Sequence, residues 1–130
     1  MNPRPAEGAM SPTTARSLQG DVGALAALPR QRTLARPVTV RGKGLMLGAD
    51  AIITIQPAPP HSGISFVRTD LNPPVRIPAT ADHVAPRPRR TTLKSGDVTI
   101  DTVEHCLSAI AGLRIDNATI EINGPELPCG

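Results

Sequence analysis

The chain has 130 residues and a formal net charge of +3, with one phenylalanine and no tryptophan or tyrosine. That length fits one domain with a core of ordinary size provided most of it folds, and so even a charge with so few aromatics argues against nucleic-acid binding. The two cysteines, Cys106 and Cys129, have neither CxxC nor metal-finger spacing, which argues against a disulfide framework and fits reduced thiols in a cytoplasmic protein.

Residues 1–30 are rich in Pro, Ala, Gly, Ser and Thr and show no sustained apolar period, so they read as a disordered tail that cannot offset its own ordering entropy. The tail carries +1 of the charge (Arg4, Arg16 and Arg30 against Glu7 and Asp21), which leaves +2 on the remainder. The apolar run Val22 to Leu28 is too short to span a bilayer and lacks the flanks of an export signal.

From Gln31 the texture changes to short β-branched runs punctuated by Gly and Pro, and residues 31–130 read as the folded domain. Val38 and Val40 alternate with polar neighbours, a glycine-rich turn follows, and Ala51 to Gln56 reads as a more deeply buried strand, so the two make a hairpin. Ile64 to Arg68 reads as a third strand, and Val75 to Ile77 as a short extended piece beyond Pro73-Pro74. His61 falls in a Pro-flanked loop and His83 in a strand or strand edge. The loop Ala85 to Arg90 contains the basic cluster Arg87-Pro-Arg-Arg90, expected to be solvated. Thr91 to Leu93 and Val98 to Ile100 flank Ser95-Gly96-Asp97 and suggest a tight hairpin.

A helix is expected over Thr102 to Ala111, where Val103, Cys106, Leu107 and Ile110 form one apolar stripe. Asp101 and Glu104 have capping-box spacing at its start, and Gly112 supplies the stop. Asn117 to Ile122 alternates as a half-buried strand. Strands with one helix give an α+β class.

Glu104 and His105 are the chemically suggestive pair. At 100° per residue neither falls on the apolar stripe, and small residues (Ser108, Ala109, Gly112) share the side of His105, which leaves room for a cleft. Glu104 can serve simply as a capping carboxylate and His105 as an exposed polar residue. The same pair also suits metal-assisted hydrolysis, in which imidazole binds zinc and the carboxylate takes a proton from water. It supplies one ligand where a catalytic zinc usually takes three from protein, and neither His61 nor His83 has a spacing that points to His105. Cys106 lies on the stripe and reads as a small core residue.

Several separate stretches resemble one family: Gln31-Arg-Thr-Leu34, Gly42-Lys-Gly-Leu45, Gln56-Pro-Ala-Pro-Pro60, Arg68-Thr-Asp-Leu71, Thr91-Thr-Leu93, Thr102-Val-Glu-His105, Ile115-Asp-Asn117 and Gly124-Pro-Glu126. In order and spacing they are similar to the N-terminal half of the UDP-3-O-acyl-N-acetylglucosamine deacetylases, zinc hydrolases of lipid A, and hence lipopolysaccharide, synthesis. The resemblance implies a two-layer sheet-and-helix sandwich, the first of two similar halves, of a kind also seen in ribosomal proteins. It implies that Glu104 is the general base, that His105 is a zinc ligand, and that Thr92 and Leu93 are candidates for substrate contact, the alternative being strand packing alone. The implied partners are a UDP-linked acyl amino sugar and a second half, in cis or on a partner chain. Nucleic acid is not among them, and the implied location is the cytoplasm, with at most peripheral association at the inner membrane face.

Two departures from the family pattern bear on these expectations. Met46 stands where a histidine is common in the glycine-rich turn. The family also continues beyond the match to Gly124-Pro-Glu-Leu-Pro128 into the half that supplies the other zinc ligands, so residues 1–130 are expected to be inactive alone. The alternative is a noncatalytic binding or regulatory module that keeps the fold.

Overall fold

The computed structural model describes residues 29–130, so nearly all of the tail expected over residues 1–30, including Val22 to Leu28, lies outside the described residues. Gln31–Gly130 forms one compact unit. Its strands are β1 (Val38–Lys43), β2 (Asp50–Pro57), β3 (Ile64–Arg68), β4 (Val75–Pro78), β5 (Val84–Ala85), β6 (Thr92–Ser95), β7 (Val98–Asp101) and β8 (Ala118–Ile122), with one helix, α1 (Glu104–Gly112). The α+β class is as expected.

The strands form two sheets, one of five in the order β1-β2-β8-β3-β4 and one of three in the order β5-β6-β7. The expected hairpin β1–β2 forms, with Val40 opposite Ile53. β8 is central, antiparallel to β2 and parallel to β3. The hairpin β6–β7 turns at Gly96, whose φ of +58° suits a residue without Cβ.

Period-2 patterning explains which side of the large sheet is covered. Ala118, Ile120 and Ile122 of β8 are buried while Thr119 and Glu121 are half-buried. Phe66, Ile77, Ile120 and Ile122 join Leu93 and Ile100 of the small sheet and Val103 and Ile110 of the helix region in one core. The expected apolar stripe is therefore the packed face of α1, with Cys106 and Leu107 partly buried against that core. β1 is less covered: Val38 and Val40 remain more than 40% exposed, beside an apolar groove of about 310 Å³ between the β1–β2 hairpin and α1.

Several local expectations are corrected. The helix begins at Glu104 rather than Thr102, because Thr102 takes a left-handed φ of +61° and Val103 is the N-cap. No capping box forms. Asp101 ends β7 and accepts a 2.6 Å hydrogen bond from Thr92 Oγ1, its cross-strand partner, instead of bonding helix amides. Gly112 is the last helical residue, and Arg114 takes the left-handed position beyond it at φ +56°. The Arg114 amide donates to the Ala111 carbonyl and that of Ile115 to Ile110, the two bonds of a Schellman ending. His83 ends a single 3-10 turn, Ala81–His83, and so lies at the edge of β5 rather than within a strand. Within the basic cluster Arg87 and Arg89 are exposed, but Arg90 is folded inward to within 3.4 Å of Asp101 Oδ2.

Candidate functional site

Glu104 and His105 occupy the first turn of α1, at the point where the chain leaves the small sheet. Glu104 is half-buried and His105 is exposed, so the helix separates them from its core face as its 3.6-residue period requires. Two hydrogen bonds, both to the main chain of Thr91, tie this turn to the start of β6. The Val103 amide donates to the Thr91 carbonyl at 3.3 Å, and the Thr91 amide donates to Glu104 Oε2 at 3.1 Å. The carboxylate is thus aimed by a neighbouring strand rather than spent on capping its own helix.

Thr92 and Leu93 lie directly behind this contact and are buried, at 0% and 2% exposure. The hydroxyl of Thr92 is committed to Asp101 Oδ1. Asp101 in turn faces Arg90, whose buried Nε is too poorly aligned for a hydrogen bond and has no hydrogen-bond partner among the described residues.

The remaining candidates stand apart from the pair. His61 Nδ1 lies 3.1 Å from Gln31 Nε2, and His83 Nδ1 lies 2.9 Å from Thr80 Oγ1. Burial pushes the Cys106 thiol up to about 11, which keeps it protonated near neutrality and suits the core role expected for it. Among the described residues no group of three His, Cys, Asp or Glu is placed to hold a metal ion. His105 is one imidazole on an exposed face.

One residue with a structural hold on this region was missed as such by the sequence reading. Glu126 is 4% exposed, and its carboxylate accepts hydrogen bonds from the amides of Met46 and Leu47 and from the hydroxyl of Thr102. Burial works to raise its pKa, but those three bonds and the nearby Arg90 guanidinium outweigh it and hold the carboxyl below its ordinary value. The only signal in the chain was its place in Gly124-Pro-Glu126, which says nothing of its partners because all of them come from distant segments. Met46, at the position where a histidine had been expected, uses its backbone amide here, a contact that does not depend on its side chain.

Residues 31–130 match the family described as UDP-3-O-acyl N-acetylglycosamine deacetylase. The chain is 49% identical over 98 residues to the UDP-3-O-acyl-N-acetylglucosamine deacetylase of Myxococcus xanthus, covering 75% of this chain and 31% of that protein. The enzyme of the same description from Pseudomonas entomophila is 50% identical over 99 residues, covering 76% of this chain and 33% of that one. That of Coxiella burnetii is 48% identical over 99 residues, with the same coverage. The chain spans about a third of the length of the curated relatives it matches.

Proposed function

The chain belongs to the UDP-3-O-acyl N-acetylglycosamine deacetylase family, and on that premise we propose that it contributes the general base Glu104 and the zinc ligand His105 to an enzyme that deacetylates UDP-3-O-acyl-N-acetylglucosamine in lipid A synthesis. The observation that carries the reading is the Thr91 amide on Glu104 Oε2, which orients a half-buried carboxylate beside an exposed imidazole at one helix start. A general base needs this kind of aim before its basicity matters.

His105 would offer one nitrogen to the metal. The described residues do not complete a ligand set, so the remaining ligands of the proposed site come from outside them. Zinc, when bound, supplies Lewis-acid polarisation and lowers the pKa of water. Glu104 would take a proton from the attacking water as the new C–O bond forms on the acetamide carbon. The C–N bond then breaks and a proton passes to the leaving nitrogen, giving acetate and a free 2-amino sugar. Thr92 and Leu93 belong to the proposal as the strand beside the substrate; with both side chains buried, contact falls to the main chain of β6.

In this reading residues 31–130 form the first of two similar halves and residues 1–30 a disordered tail. The second half, in cis or on a partner chain, completes the cleft, and the chain alone is inactive. The enzyme works in the cytoplasm on a substrate whose acyl chain draws it to the inner membrane face. No helix among the described residues is long and apolar enough to cross a membrane.

The test is zinc-dependent acetate release from UDP-3-O-acyl-N-acetylglucosamine by this chain combined with the second half of a relative. Activity that disappears in Glu104→Ala and His105→Ala supports the reading. Folded halves that associate and bind zinc yet release no acetate count against it.

A further inference from the structure

Three stretches distant in the chain meet at one buried carboxylate. Glu126 Oε1 accepts from the Met46 amide at 2.7 Å and from Thr102 Oγ1 at 3.1 Å, and Oε2 accepts from the Leu47 amide at 2.8 Å. Gly44 packs so closely that a Cβ there would collide with Oε2, which explains a glycine at that position. Beside it the Asp101 amide donates to the Pro125 carbonyl at 2.7 Å, and the Leu127 amide to the Asp101 carbonyl at 3.1 Å. Three donors and the Arg90 charge keep Glu126 ionised within the protein.

Thr102 gives this junction a role beyond joining loops. It is 2% exposed and sits at φ +61°, a backbone region that β-branched residues rarely occupy and that persists only when the surroundings hold it. Its hydroxyl is the group held by Glu126. This residue turns the chain out of β7, and Glu104 and His105 follow two and three positions later. The direction in which the first turn of α1 leaves the sheet is therefore set at Thr102, while the Thr91 contacts hold that turn from its other side.

We propose that Glu126 is a positioning residue for Glu104 and His105, acting through the left-handed backbone of Thr102 and binding the Met46–Leu47 loop to the same junction. The inference rests on the reading of Glu104 and His105 as the reacting pair. Glu126 itself touches neither of them, and its effect is to fix where they point.

The test compares NMR spectra of this chain with those of Thr102→Val, Thr102→Ser and Glu126→Gln. Thr102→Val keeps the branched shape and removes only the hydroxyl, whereas Thr102→Ser keeps the hydroxyl. Thr102→Val and Glu126→Gln should each shift the Thr91 amide and the His105 ring signals, with the amides of Ile53 and Ile120 left in place. Thr102→Ser should leave all of them near their original positions. Adding Thr102→Gly to Glu126→Gln should restore the shifted signals, because glycine adopts this φ without being held. In the complete protein, Thr102→Val should lower kcat roughly ten- to a hundredfold with little change in KM, and Thr102→Ser should recover it.

A folded Thr102→Val chain whose Thr91 and His105 signals do not move overturns the proposal, as does a Thr102→Ser chain that shifts them equally. If Glu126→Gln fails to fold, the valine and serine variants decide the matter between them. The spectroscopic readout does not depend on deacetylation: the expected shifts in a protein whose complete form releases no acetate would support the positioning and overturn the activity.

Discussion

The Thr91 amide donates a 3.1 Å hydrogen bond to Glu104 Oε2, and through it the residue that leads into β6, 13 positions earlier in the chain, aims the carboxylate of the helix. Glu104→Gln keeps an acceptor oxygen for this bond and removes the proposed general base. We expect its folding stability to stay within about 0.5 kcal/mol of the parent. If Glu104 is the base proposed above, acetate release by this chain combined with a relative's second half should fall by roughly 10² to 10⁴-fold. Denaturant unfolding of the chain and initial rates of the combination check the two parts of this prediction.

Asp101 offers a second test, because its two possible roles differ in energy and in partner. Had it capped the helix, Asp101→Ala would cost about 1 kcal/mol and fray α1. In the observed contacts it satisfies Thr92 and faces Arg90, both largely buried, so the loss should be about 2–4 kcal/mol. A double-mutant cycle with Thr92→Val should show coupling of roughly 1 kcal/mol or more. Additive losses would mean that the 2.6 Å bond contributes nothing.

Acid should weaken the fold through two carboxylates. The hydrogen bonds from Arg68 to Asp70, at 2.8 and 2.7 Å, hold the Asp70 carboxyl below its ordinary value of 3.8, and that of Glu126 is held below 4.5. A carboxyl whose folded pKa is depressed stabilises the fold fully above its unfolded value, and this contribution is lost as pH falls through the folded one. Stability should therefore be level in these terms above about pH 5 and decline as the pH falls below the ordinary values. Asp70→Asn should flatten part of that decline in urea midpoints taken from pH 6 down to pH 2.5. Arg68 also donates to the Thr99 carbonyl and so joins the two sheets, which makes loss of its carboxylate partner felt in both.

The helix ending predicts a stabilising change. Arg114 occupies the left-handed Schellman position at φ +56°, where a side chain is unfavourable. Arg114→Gly should raise stability by about 0.5–1 kcal/mol, read as a higher thermal midpoint. Gly112→Ala, at a helical position with open space around the added methyl, should also stabilise, by a similar amount.

These cases mark where local pattern stops being informative. The strand β8 and the apolar stripe of α1 were legible because alternation and a 3.6-residue period are consequences of one covered face, and covering is what the hydrophobic effect selects. The helix boundary was not legible, since a capping-box spacing states only what Asp101 and Glu104 could do for each other. Cross-strand Thr92 and the Thr91 amide competed for those carboxylates and won, being already placed by β6 pairing. The helix does end at Gly112, but the left-handed closing position falls two residues later at Arg114, with Ile110 and Ile115 packed toward the same core.

Residue types and their order determined the α+β class, the packed face of α1, the pairing of an acid with an imidazole at its first turn, and the likeness to a deacetylase family. They could do so because periodicity and motif spacing are properties of a single segment. The aim of Glu104, the inward turn of Arg90 and the grip of Glu126 on Thr102 were decided only when the chain closed on itself. Each of those contacts joins groups 11 to 24 residues apart, and a buried carboxylate takes whichever donors the fold delivers to it, since leaving it without them would cost more than any local preference could return.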